Sequence, residues 1–269
     1  MSAALSAAPT LTREAAKWAA EQTLWARIAV RRHLDRDGAR PKPLATIPTN
    51  VLRTASQWEV ACRELKRLQL PLHHDRPKNW DALSAVSFVL ERTASLGPDA
   101  AVLDAGSARY STVLPMLRLY GLHDLWGNNL EWSREHRHGP VRFVPGDMTA
   151  TDFPDARFDA ITCLSVIEHG VPLKGFLVEA ARLLRPDGVL FVSTDYDQEP
   201  PDTTGKTAYG QPVHIFSPDE IREFVAAAAA AGLQLVGELR LDHPQRPVHW
   251  ARVGIDYTFL SMGFRKAQA

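Results

Sequence analysis

From residue 100 onward, short apolar runs alternate with helix-forming stretches. The runs fall at 101–104, 123–128, 141–144, 158–164, 188–194 and 233–239. Alternation of this kind predicts parallel βαβ units and a doubly wound sheet. The best-marked helix starts at "SPDE", where Ser217 as N-cap, Pro218 at N1 and Glu220 at N3 predict a capping box. The tail, "WARVGIDYTFLSMGFRK", is rich in β-branched and aromatic residues. It reads as a final antiparallel strand, hairpinned with 233–241.

The first 95 residues have a different grain. Helices are expected over 11–34, about 52–68 and 79–94, separated by the Pro/Gly-rich connector 35–50 and the break 71–78. Leu11, Ala15, Trp18, Trp25 and Ile28 make the apolar face of the first helix. Trp80, Leu83, Val86 and Val89–Leu90 make that of the third. No strand is expected here, so residues 1–95 read as a helical cap on a domain spanning 96–269.

Net charge is zero overall, but residues 1–78 hold 14 Lys/Arg against 7 Asp/Glu. That excess predicts a basic segment docked on an acidic core, or one that holds an anionic substrate group. An apolar fraction of 45% with 23% charged residues is that of a soluble globular protein. Two distant cysteines, Cys62 and Cys163, without a CxxC pair, argue against a disulfide framework or structural zinc. The first residues show no basic-then-apolar leader, and no apolar run reaches the ~20 residues of a membrane span. The expectation is a cytoplasmic protein with no membrane partner.

The loops after the strands carry the chemistry, because ligands of open α/β sheets bind beyond the carboxyl ends of the strands. In order these loops are "DAGS" after the first strand, "WGNNLEWS", "PGDMTATDFP", "SVIEHG" and a long segment from Asp195 to Phe216. With "FDAITCLSVIEHG" and "EAARLLRPDG" in that order, residues 99–266 resemble a class I S-adenosylmethionine-dependent methyltransferase of the bacterial small-molecule type. The resemblance implies a Rossmann-like, mostly parallel seven-stranded sheet with an antiparallel C-terminal strand. It also implies S-adenosyl-L-methionine as cofactor. A dinucleotide would want G-x-G-x-x-G over a pyrophosphate, and Ala108 and Tyr110 stand where the later glycines would fall.

On this resemblance Asp104, Gly106, Ser107 and Ser111 form the loop at the amino-acid end of the cofactor. Asn129 stands where the family carries an acidic ribose acceptor, with Leu130 beside it and Glu131 as an alternative acceptor. Asp147 and Met148 suit the adenine, and Ser165 the donor pocket. His169, Asp195, Tyr209 and His214 are candidate bases, although His169 could instead shape the donor pocket. Glu168 reads as a capping or packing residue. Asp147 could equally be turn chemistry after Gly146. The segment 195–216 is long enough for a lid. His73-His74-Asp75 and His136-Arg137-His138 lie in polar, turn-rich stretches and read as surface, and no metal site is expected.

The resulting expectation is methyl transfer to O or N of a small polar acceptor, such as a sugar, an aminosugar or another biosynthetic intermediate. A catalytically silent methyltransferase-like scaffold is the alternative, motivated by Ala108, Tyr110 and Asn129. A net acidic core and the lack of an Asn/Asp-Pro-Pro-Tyr/Phe motif disfavour nucleic acid as partner. Oligomeric state is not legible.

Overall fold

Period-two alternation along the central strands sends their side chains into two separate apolar cores. The computed structural model describes residues 13–34, 40–208 and 210–268. Its helices are α1 (Arg13–Leu34), α2 (Ala55–Arg67), α3 (Lys78–Arg92), α4 (Val113–Leu119), α5 (Leu173–Leu183) and α6 (Pro218–Ala230). Its strands are β1 (Asn50–Val51), β2 (Ala101–Ala105), β3 (Asp124–Asn129), β4 (His136–His138), β5 (Val141–Pro145) and β6 (Phe158–Leu164). They continue as β7 (Leu184–Tyr196), β8 (Thr207–Ala208), β9 (Gln211–Pro212), β10 (Leu233–Leu235), β11 (Val248–Trp250) and β12 (Ile255–Lys266).

Strands β5, β3, β2, β6 and β7 lie side by side and parallel. The tail strand β12 then runs antiparallel to β7, from Thr258↔Tyr196 to Arg265↔Val189, and β10 pairs β12. These are the expected seven strands. Three short ones, β4, β1 and β11, extend the sheet to ten. Val102, Ala160 and Phe191 face a core shared with α2, α3 and α4. Leu103, Ile161 and Leu190 face the other core, with α5 and α6. Helices on both faces of a mostly parallel sheet make a doubly wound fold. The capping box forms as expected, with Ser217 N donating to Glu220 Oε2 at 2.8 Å and Glu220 N to Ser217 Oγ at 3.4 Å.

Four local expectations change. The N-terminal region does hold a strand: Asn50 and Val51 pair with Ser261 and Leu260 on the outer edge of β12. Trp18 is exposed, and the buried stripe of α1 is Glu21, Trp25 and Ile28. A carboxylate can sit on that stripe because Arg109 and His138 meet it there. Helix α3 is buried nearly all round, including Asn79, Asp81, Ser84 and Ser87, because α2 covers the side turned away from the sheet. His136-Arg137-His138 is no turn but an edge strand, antiparallel to β5.

Candidate active site

The carboxyl ends of β2, β3, β6 and β7 open on one cavity of about 440 Å³, closed on one side by the start of α3. Asp104, at the end of β2, is buried and accepts hydrogen bonds from Thr162 Oγ1 at 2.7 Å and Ser111 Oγ at 2.8 Å. Burial pushes its carboxyl up, and these hydroxyls oppose the shift. The Ser111 proton is therefore spent inside the turn. Gly106 follows at φ +76°, and a Cβ there would lie 2.6 Å from Val166 Cγ2. The glycine thus lets the β2 loop meet the β6 loop, a tighter constraint than room for a ligand.

Asn129 ties the rim together. Its Nδ2 donates to Gly106 O at 3.0 Å and to Ser107 O at 3.3 Å, while its Oδ1 accepts from Glu131 N at 2.8 Å. A carboxylate could not make the two donor bonds, which gives Asn129 a structural reason. Leu130 and Glu131 project from the same rim and are exposed. Ser165, beyond β6, sits at φ +51°, and its buried hydroxyl makes no hydrogen bond within the protein. A non-glycine residue held at positive φ with an unpaired hydroxyl in a cavity wall is a common mark of a ligand site.

Behind the rim lies an acidic floor. Asp81, Glu168 and Asp195 are buried around the Lys78 ammonium, whose Nζ stands 3.9 Å from Asp195 Oδ1 and 4.4 Å from the Phe259 ring centroid. Burial, reinforced by Glu168, pushes the Asp195 carboxyl up to about 8, against Lys78 and His169. Burial likewise lifts Asp81 to about 6 and raises Glu168. Burial pulls Lys78 toward neutrality, but Asp195, Glu168 and Asp81 outweigh it and hold its ammonium above the ordinary lysine value. Tyr257, beside Asp195, is raised by burial and by that carboxylate. His169 lines the same space, its imidazole lowered by burial and partly restored by Asp195. Three carboxyls around one ammonium cannot all ionise cheaply, so the floor holds a proton near neutrality.

Of the residues singled out in the sequence, Asp104, Gly106, Ser107, Ser111, Asn129, Leu130, Ser165, His169 and Asp195 line this cavity. Asp147 lies just outside, in an Asx turn closed by Thr149 N and Oγ1, both at 2.8 Å. Met148 packs against the α5/α6 core. His214 lines a neighbouring cavity, which shares Glu168 with the first, and pairs with Glu220 at 3.1 Å. Tyr209 lies outside the described residues. His73, His74 and Asp75 are cavity lining and not plain surface, and burial lowers His73 to about 4. In the 195–216 segment, Asp197 is buried and clamped by Arg246 at 2.6 and 2.8 Å. The sequence reading missed Lys78, Asp81 and Tyr257. Lys78 and Asp81 flank Trp80 at the start of α3, and their one signal was charge beside a strongly apolar helix.

Residues 103–192, about a third of the chain, match a family model described as a methyltransferase domain. Among curated proteins it is similar to the sterol 24-C-methyltransferase of Schizosaccharomyces pombe, 30% identical over 179 residues, covering 58% of this chain and 46% of that protein. The chain spans roughly a third to a half of the length of the first curated relatives it matches, 31%, 49% and 29%. Among solved structures it is similar to the cyclase SpnF, with TM-score 0.52 and 18% identity over 83% of this chain and 100% of that one. It is also similar to the 1,6-didemethyltoxoflavin-N1-methyltransferase of Burkholderia thailandensis, with TM-score 0.48 and 23% identity over 84% of this chain and 94% of that one. A cyclase on this fold is reason to argue chemistry from the site. No helix among the described residues is long and apolar enough to cross a membrane.

Proposed function

We propose that this chain transfers a methyl group from S-adenosylmethionine to O or N of a small polar acceptor. The observation that carries this reading is the acidic floor of Asp81, Glu168, Asp195 and Lys78, continuous with the methyltransferase loops in one cavity. The cofactor, when bound, supplies an activated methyl on a sulfonium. The unpaired Ser165 hydroxyl, the Ser107 loop and the exposed Glu131 carboxylate fit such a group. They offer the buried hydroxyls of Ser165 and Ser107 and, in Glu131, an anionic acceptor for ribose hydroxyls. Asp147 and Met148 would meet an adenine extending past the rim, since Gly146 N already bonds Asn129 O at 3.3 Å.

With the cofactor held there, its thioether would be the leaving group, and the task of this chain's own residues would be to hold the acceptor and take its proton. For a hydroxyl acceptor the displaced proton goes to His169, which burial keeps neutral, or to Asp195 in its ionised form, and an ammonium acceptor gives up a proton the same way before its lone pair attacks. Lys78 offsets part of the cluster's negative charge and lowers the proton affinity of all three carboxyls. The N-terminal helices act as a wall of the substrate side through His73, His74, Lys78 and Asp81. Two buried, free cysteines suit a reducing compartment.

Titration calorimetry with S-adenosylhomocysteine, followed by transfer of labelled methyl to panels of amines, polyols and alkenes, tests the reading. Heat on titration and label on amine or hydroxyl are expected. No heat at millimolar ligand would overturn the enzyme in favour of a silent scaffold. Label confined to alkene carbon would overturn the acceptor class, an outcome worth including given the sterol-methylating relatives.

A further inference from the structure

The β4 edge of the sheet holds a second cluster of ionisable groups, none of which lines the cavity. Glu21 is buried on the inner stripe of α1, where an apolar residue would ordinarily sit. His136 and His138 stand two residues apart on β4, so their side chains share one face of the strand. Their Nε2 atoms approach the same oxygen, Glu21 Oε1, at 3.4 and 3.0 Å, and the three donor atoms all lie within 4.8 Å of one another. In a tetrahedral site with metal–ligand distances of 2.0–2.1 Å, neighbouring donor atoms stand about 3.4 Å apart. The cluster therefore has nearly the spacing of three corners of such a site before any ion enters.

The surroundings hold the three groups in place. Arg109 Nη1 donates to the other carboxylate oxygen, Oε2, at 2.8 Å, leaving Oε1 to face the imidazoles. The His138 ring stacks on Trp25 at 5.2 Å, and the His136 ring stacks on Phe143 at 4.9 Å. His136 Nε2 is buried and makes no well-aligned hydrogen bond. Two imidazoles and one carboxylate, with rings fixed and a buried nitrogen unused, are the donor set of a borderline divalent ion.

We propose that Glu21, His136 and His138 bind a divalent transition-metal ion of the zinc type, fastening α1 to the sheet edge. Each imidazole then carries its proton on Nδ1, the metal takes Nε2, and a water or external ligand fills the fourth position. Arg109 belongs to the loop whose neighbours Ala108 and Tyr110 line the cavity. A filled site would thus steady the wall against which the cofactor loop rests.

The test uses the full chain, prepared without a polyhistidine tag, stripped with chelator and titrated with Co²⁺. One equivalent should give visible ligand-field bands of a four-coordinate site, bleached by Zn²⁺. Zn²⁺ should also raise the melting midpoint by several degrees. Both effects should vanish in His136→Ala and Glu21→Gln and persist in His123→Ala, whose imidazole is on the surface beside Asp99. Should Glu21→Gln not fold, His136→Ala, at a half-exposed position, decides alone. No stoichiometric Co²⁺ band, or a band that survives His136→Ala, would overturn the site and leave the cluster an ion-pair hub.

Discussion

Replacing Asn129 by Asp separates two accounts of one residue. If this position mainly reads ribose hydroxyls, the carboxylate should bind cofactor more tightly, since ionised acceptors make the stronger bonds. The structure gives the opposite sign. Asn129 Nδ2 donates to Gly106 O and Ser107 O, at 3.0 and 3.3 Å, and both bonds are lost when the donor becomes an oxygen. At about 1 kcal/mol each they sum to about 2 kcal/mol. A carboxylate facing two carbonyl oxygens adds about 1 kcal/mol of repulsion, and a stronger bond from Glu131 N returns about as much. The net is about 2 kcal/mol of destabilisation, a melting point lower by about 4–8 °C at this chain length. The deficit should shrink as pH falls toward ~4, where a protonated carboxyl donates again to one carbonyl. Calorimetry of unfolding and S-adenosylhomocysteine titration on the same sample provide the assay. A variant that melts within about 1 °C of the parent and binds the ligand more tightly would refute the argument.

Gly106→Ala should cost about 2–4 kcal/mol in urea unfolding, from positive φ and from overlap with Val166. Adding Val166→Ala should recover the overlap part, so the two changes should be non-additive by at least about 1 kcal/mol. Asp195→Asn should change the pH dependence of stability. A buried carboxyl raised to about 8 binds its proton more tightly folded than unfolded, so parent stability falls as pH rises from about 4 to about 8. The variant's urea midpoint should decline less over that window, and parallel curves would contradict the buried-acid reading. Arg246→Ala strands Asp197, which is 1% exposed, and should cost about 2 kcal/mol, below the usual figure for a broken buried pair because Arg246 is itself half in water.

The sheet was legible because its signals are local. Each strand of the 100–266 region carries its own apolar run, "SPDE" carries its own cap, and the tail's β-branched residues can do little but pair. The rim of the cavity was legible for the same reason, since Asp104 to Ser111 are contiguous. The features that stayed hidden depend on contacts across the chain. Nothing local marks Glu21 as buried, because Arg109 and the two histidines that meet it are supplied by distant parts of the chain. His136 and His138 looked like turn residues because Gly139-Pro140 comes next. Only pairing with β5 puts both rings on one side. Asn129 looked like a weakened ribose ligand because nothing local shows that two carbonyls wait across the loop.

The acidic floor shows the limit most clearly, and also why the N-terminal helices matter to the chemistry. Lys78 and Asp81 come from α3, Glu168 from the loop after β6, Asp195 from β7 and Tyr257 from β12. In sequence the floor spans most of the chain. In space its register is fixed by two strands: Asp195 pairs Phe259 across β7 and β12, and Ser193 Oγ, two residues earlier, donates to Asp81 Oδ2 at 2.6 Å. That bond anchors α3 to the strand that carries Asp195, so the distance between the ammonium and the carboxylates is set by sheet and helix packing and not by a loop. Groups held this way cannot relax apart to recover water, and their proton affinities stay shifted. On the proposed reading, an acceptor with a proton to lose would meet carboxyls whose proton affinity the fold has raised, and Lys78 of α3 would offset part of that rise.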